Sequence, residues 1–205
     1  VEDKVISEDS PAFIVAEAAC NHLCDIKLAL KMIDEAAKAG ADAIKFQTYT
    51  AEKLTTSGAN AYGNINTKSQ LEYYKQYDRF GRGEYEELFE YARGKGIIAF
   101  STPFDPENAQ MLHSLLMPLY KIASCDLLYT DLLREVACFG TPIILSTGGA
   151  HLKEIETALN ILSKYNAKDI VLLACTLSYP TPTDDANYRK ITDMKREFPE
   201  FIIGI

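Results

Sequence analysis

Two lysines, Lys45 and Lys121, stand inside apolar runs that otherwise read as buried strands, "AIKFQT" at 43–48 and "LYKIAS" at 119–124. Lysine is almost never fully buried unless something compensates its charge. Hydroxyls lie nearby in sequences of the same kind: Thr102 in "STPFD", Ser124 in "IASCD" and Ser146 in "ILSTGG". Two cations among hydroxyls and a glycine-containing turn make a receptor for phosphate or carboxylate. Glu17 in "AEAAC" adds a candidate acid or base. Gln47 shares the strand face of Lys45, because side chains two residues apart point the same way. His22, five residues after Glu17, offers an imidazole for substrate or metal.

Each of these residues also has a structural use. Ser and Thr that follow a strand often cap the next helix, which applies to Ser101, Thr102, Ser146 and Thr147. Glu17 can serve as an ion-pair partner of Lys45, Lys121 can reach outward to solvent along its aliphatic stem, and a lone histidine is as often a hydrogen-bonded loop residue. Cys20 and Cys24 flank His22, but no second Cys or His pair follows to complete a metal site.

The elements that must position these groups alternate. Strand candidates "AFIVAEA", "DAIKFQT", "IIAFST", "LYKIAS", "PIILST", "IVLLACT" and "FIIGI" are separated by six stretches with helical spacing. In the first of these stretches Leu28, Met32, Ile33 and Ala36 recur along one face and Gly40 supplies the stop. A polar stretch from about 50 to 82 is too long for simple linkage and reads as a lid. Strict alternation demands parallel strands with helical crossovers, in a doubly wound sheet or a (β/α)8 barrel. No dinucleotide glycine fingerprint follows the first strand, which favours the barrel.

A parallel barrel builds its active site at the C-terminal strand ends. Here those ends carry Glu17; Lys45 and Gln47; Ser101, Thr102 and Asp105; Lys121, Ser124 and Asp126; Ser146, Thr147 and Gly148; and Thr176, Ser178 and Tyr179. Residues 1–205 read as a single barrel domain in α/β class. Seven strands do not close a barrel, so the expectation is a piece of a longer protein lacking an eighth strand and its helix.

Composition narrows the partners. A net charge of −8 argues against nucleic acid or an anionic membrane surface, while a small anionic substrate needs only local lysines. Five scattered cysteines lack the spacing of a disulfide framework and fit a reduced, cytoplasmic setting. No apolar stretch approaches the roughly 20 residues of a membrane helix.

The series "AEAACNH", "GADAIKFQT", "STPFD", "YKIASCD", "ILSTGG" and "CTLSYPTP" resembles the N-acetylneuraminate (sialic acid) synthase family, which includes the legionaminic and pseudaminic acid synthases. The resemblance runs from residue 12 to the last residue. It implies a barrel followed by an antifreeze-like domain, absent here, and a homodimer in the full-length protein. It also implies condensation of phosphoenolpyruvate with an N-acetylated amino sugar of the N-acetylmannosamine kind, with loss of phosphate. A divalent metal, typically manganese, polarises the sugar aldehyde in that family, held by histidines after strands seven and eight. His22, His113 and His151 do not match those positions, so the resemblance implies that these 205 residues alone are inactive.

By the same resemblance Lys45, Thr102, Lys121, Ser124 and Ser146 match positions that hold phosphoenolpyruvate, Gln47 and Tyr179 line the pocket near the sugar, and Glu17 lies near the reacting centre. Asp126 stands where the family usually has a glutamate that contacts the sugar. Leu177 stands where it often has an asparagine, and Leu23 and Cys24 replace an asparagine and a glycine. Two other functions fit the residues themselves: a Schiff-base aldolase using Lys45 or Lys121 as nucleophile, and a barrel that binds anions without catalysis.

Overall fold

Asp25 opens the first long helix by accepting hydrogen bonds from the amides of Lys27 and Leu28, donors that a helix's first turn leaves unpaired. In the computed structural model, which describes residues 1–61 and 67–205, this helix is α1 (Ile26–Lys38). It buries Ala29, Ile33 and Ala36, which share one face at intervals of three and four residues. Gly40 follows with φ +80°, a backbone conformation that costs glycine little.

The described residues form two compact units, Phe13–Met117 and Val1–Ala12 with Pro118–Ile205. The first holds β1 (Val15–Ala19), α1, β2 (Ala43–Thr48), the short helices α2 (Ala51–Leu54) and α3 (Gln70–Tyr74), α4 (Arg82–Gly94), β3 (Ile98–Pro103) and α5 (Pro106–Ser114). β1 pairs with β2 and β2 with β3, all parallel, with Glu17 opposite Lys45 and Gln47 opposite Thr102. A bulge after Glu17 shifts the register, and Ala19 there adopts φ +47°. Against β2 and β3 lie α1, α4 and α5. Ile33, Ile44, Phe46, Leu88 and Phe100 are almost wholly buried between the layers. Each such side chain contributes about 1.5–3 kcal/mol on leaving water.

The second unit holds β4 (Tyr120–Ile122), α6 (Thr130–Cys138), β5 (Ile143–Ser146), α7 (Leu152–Lys164), β6 (Ile170–Leu173), α8 (Lys190–Glu197) and β7 (Ile202–Gly204), with 3-10 turns at Ser124–Asp126 and Thr183–Asp185. Its four strands pair in chain order and in parallel. Leu132, Leu133 and Val136 of α6 and Ile155 and Leu162 of α7 are buried, and α6 packs on α7. The N-terminal segment joins this unit: Lys195 of α8 pairs with Glu8 at 3.1 Å.

Parallel pairing with helical returns is the architecture of a (β/α)8 barrel, of which seven strands are present among the described residues. The six helices expected from periodicity are α1 and α4 to α8. The 50–82 stretch carries two further short helices, while residues 62–66, within the expected lid, lie outside the described residues. Strand candidates at 119–124 and 170–176 are longer than β4 and β6, because their C-terminal residues leave the sheet for turns and loops.

Candidate active site

In the first unit the bulged end of β1 aims Glu17 at the neighbouring strand. Its carboxylate pairs with the Lys45 ammonium, and its Oε1 also accepts from the Ala19 amide at 2.9 Å. The ion-pair alternative for Glu17 is therefore realised. The Lys45 side chain is 12% exposed and that of Glu17 50%. The lysine is thus largely withdrawn from water while its partner stays at the edge, accessible to an anion that would compete for the same ammonium. Gln47 and Lys45 share one half-exposed face of β2, and Ile44 and Phe46 fill the buried one.

Gln47 is fixed at both ends. Its carbonyl accepts from the Tyr85 hydroxyl at 2.7 Å, and its side-chain oxygen accepts from the Cys20 thiol at 3.5 Å. The Tyr49 hydroxyl, 3.6 Å away, is the alternative acceptor for the single Cys20 thiol proton, and burial pushes that thiol above the ordinary range, which keeps it protonated. Thr102 is buried opposite Gln47. Its neighbours have structural uses: Ser101 shares a 2.7 Å hydrogen bond with Thr48, and Asp105 caps α5 by accepting from the Asn108 amide at 2.9 Å.

His22 behaves as a loop residue. Its ring is buried and stacked on Phe80 at 4.4 Å, and Nδ1 accepts from the Cys24 amide at 3.2 Å. Burial lowers its pKa, so the ring is neutral, with its proton on Nε2. Among the described residues no group of three His, Cys, Asp or Glu side chains is placed to hold a metal ion.

The second unit carries a tighter cluster. Lys121 is only 8% exposed, and its ammonium donates to the Ile122 carbonyl at 2.9 Å and to Ser146 Oγ at 2.5 Å on the next strand. The outward-reaching alternative does not apply. Ser146 Oγ also accepts from the Cys175 thiol at 3.3 Å. Ser124 Oγ accepts from the Gly148 amide at 2.9 Å. A side chain at Gly148 would bring a Cβ within 2.9 Å of that same oxygen, so the turn approaches Ser124 as closely as only glycine allows.

Asp126, half-buried on the 3-10 turn, has a carboxyl pushed up to about 6 by burial, against the opposing pulls of the Cys125 thiol and the Lys121 charge. Tyr179 is 92% exposed, on the loop after β6 beside a cis bond to Pro180. Thr147, expected among the strand-end hydroxyls, binds the Leu173 carbonyl at 2.8 Å and serves the sheet.

Sequence reasoning passed over Lys190. Its ammonium donates to the Thr147 carbonyl at 3.3 Å and to the Cys175 carbonyl at 3.2 Å. One signal was available: a lysine at the first residue of a helix sits at the positive end of the helix dipole, where a cation is disfavoured unless it serves something else.

Parallel strands with helical returns, and polar and charged side chains at their C-terminal ends, define a (β/α)8-barrel protein. The model of the NeuB family matches residues 32–205. N,N'-diacetyllegionaminic acid synthase of Campylobacter jejuni is 38% identical over 192 residues, covering 90% of this chain and 57% of that protein. Pseudaminic acid synthase of the same organism is 36% identical over 197 residues, covering 93% and 57%. Among solved structures, an N-acetylneuraminic acid (sialic acid) synthetase from Leptospira borgpetersenii superposes with a TM-score of 0.86 at 42% identity, over 95% of this chain and 64% of its own. The chain belongs to the NeuB family, and it spans a little over half the length of the curated relatives it matches.

Proposed function

We propose that this chain is the barrel of a synthase that joins phosphoenolpyruvate to an N-acetylated amino sugar, giving a nonulosonic acid and phosphate. One observation carries the reading: a buried lysine ammonium bonded to Ser146, beside a Ser124 oxygen already supplied with a proton donor by Gly148. Ser124 Oγ accepts from the amide, so its own hydroxyl proton is left to point at a ligand oxygen. Donors fixed in advance around a dry lysine suit a phosphate or carboxylate whose charge changes during reaction. The names of the relatives support a sialic-type product, and the Leptospira neighbour was crystallised with citrate, itself a polycarboxylate.

In this reading Lys121, Ser124 and Ser146 serve phosphoenolpyruvate, and Lys45 and Thr102 have the anion-holding role that the family resemblance implies for them. Asp126 and Tyr179 serve the sugar, while the resemblance implies a pocket-lining role for Gln47 and an acid or base role for Glu17. The phosphoenolpyruvate methylene carbon bonds to the aldehyde carbon, whose oxygen takes up a proton. Water then adds its oxygen to the former enol carbon and gives up a proton, and phosphate leaves that carbon. The lysines and hydroxyls hold the anion through these changes of charge.

The test is phosphate release by the full-length protein, which should require both phosphoenolpyruvate and an N-acetylated amino sugar. Lys121→Met should lower kcat/KM by roughly a hundred-fold or more, as expected for loss of a buried charged donor. A pyruvate adduct trapped by borohydride and seen in the intact mass would favour the aldolase instead. Unchanged phosphoenolpyruvate affinity in Lys45→Ala would favour a binding barrel of another kind.

A further inference from the structure

The carbonyl of Thr147 and the amide N–H of Gly148 belong to one planar peptide group. That group is gripped from both sides: Lys190 Nζ donates to the carbonyl at 3.3 Å, and the N–H donates to Ser124 Oγ at 2.9 Å. The same ammonium holds the Cys175 carbonyl at 3.2 Å, and the Cys175 thiol donates to Ser146 Oγ, the oxygen that Lys121 also contacts. One side chain at the start of α8 is thereby linked, through two backbone groups, to both serine hydroxyls of the cluster.

We propose that Lys190 is a positioning residue for the anion site: it sets the tilt of the Thr147–Gly148 peptide and so fixes which way the Ser124 hydroxyl proton faces. Two physical effects act together. A cation on the carbonyl oxygen polarises the peptide and makes its N–H a stronger donor. A stronger donor keeps Ser124 Oγ as acceptor and turns its own hydroxyl away, toward a ligand. Without the ammonium the carbonyl keeps only a neutral donor, the Ala150 amide at 3.3 Å, the N–H is less polarised, and the serine is freer to reverse its role. Lys190 itself touches no reacting atom in this scheme. The inference deepens the reading of this cluster as a phosphoenolpyruvate site and rests on it.

Two measurements on the full-length protein decide the matter. In enzyme labelled with 15N-glycine, hydrogen exchange at the Gly148 amide reads the grip with no substrate present. Lys190→Met should speed that exchange about ten-fold, a typical effect of losing a hydrogen bond to a charged group, and Lys190→Arg, which keeps a donor cation, should restore it. Steady-state kinetics should then show KM for phosphoenolpyruvate raised about ten-fold in Lys190→Met, KM for the amino sugar within two-fold of wild type, and recovery in Lys190→Arg. Lys190→Gln replaces the methionine variant where that one does not fold. Unchanged Gly148 exchange, equal losses for both substrates, or no rescue by arginine would each overturn the proposal. A wild-type enzyme that ignores phosphoenolpyruvate while Gly148 exchange still depends on Lys190 would instead overturn the functional reading and leave the grip standing.

Discussion

Burial raises the Asp126 carboxyl to about 6 in the folded chain, while the Cys125 thiol and the Lys121 charge pull the other way. An unfolded aspartate titrates near about 3.9. Between those values the native chain holds a proton that the unfolded chain has released, so stability is lost as pH rises from about 4 to 6. His22 has the opposite sign: burial lowers its pKa, so its contribution is full above its ordinary range and lost as pH falls through it. In urea denaturation, Asp126→Asn should gain stability relative to wild type as pH rises from 4 to 6.5, with the difference level above that. A difference independent of pH would show that the carboxyl is ordinarily solvated. Lys121 was legible at this scale because a charge inside an apolar run is conspicuous. Lys190 was not, because it sits among Arg189, Lys195 and Arg196 on a helix whose polarity looks like a solvated face. The Glu17–Lys45 pair depended on strand register, which period-2 alternation leaves open.

Helices with a clear apolar period were legible as elements, and their boundaries followed from caps that the sequence displays. Asp105 shows how a residue can look functional and act structurally. It stands at a C-terminal strand end, yet it is 3% exposed and its carboxylate receives the Asn108 amide at 2.9 Å, with Lys53 Nζ at 3.7 Å. Asp105→Ala should destabilise the protein by about 1–2 kcal/mol through loss of the α5 cap. Thermal denaturation would show it, and an unchanged midpoint would return Asp105 to the list of ligand-binding candidates. The short helices α2 and α3 were illegible, because four or five residues hold too little of a 3.6-residue period. They are placed by tertiary contacts instead: Asp78 accepts from the Ala51 amide at 2.9 Å, and Tyr74 meets the edge of Tyr49 with ring centres 5.5 Å apart.

At the scale of the whole molecule, alternation revealed the barrel class, and the order of the strand-end motifs revealed the family. Net charge revealed less, since a chain of −8 can still carry a local cationic site where lysines are shielded from water. The described residues hold no metal-binding group of three, and the chain spans 57% of the legionaminic acid synthase it matches. We expect the 205 residues alone to release no phosphate from phosphoenolpyruvate and an amino sugar under conditions where the full-length protein does. Turnover by the isolated chain would mean that its own side chains suffice for the chemistry. The pairing of Glu8 with Lys195 also has a kinetic meaning. A ribosome makes the two partners 187 residues apart, at about 5–20 residues per second. The opening segment therefore waits on the order of ten seconds or longer for its helix to emerge. During translation the Phe13–Met117 unit has its whole sequence in hand first, and the segment around Glu8 stays without its Lys195 partner, so a nascent-chain protease should clip there before α8 emerges and not after.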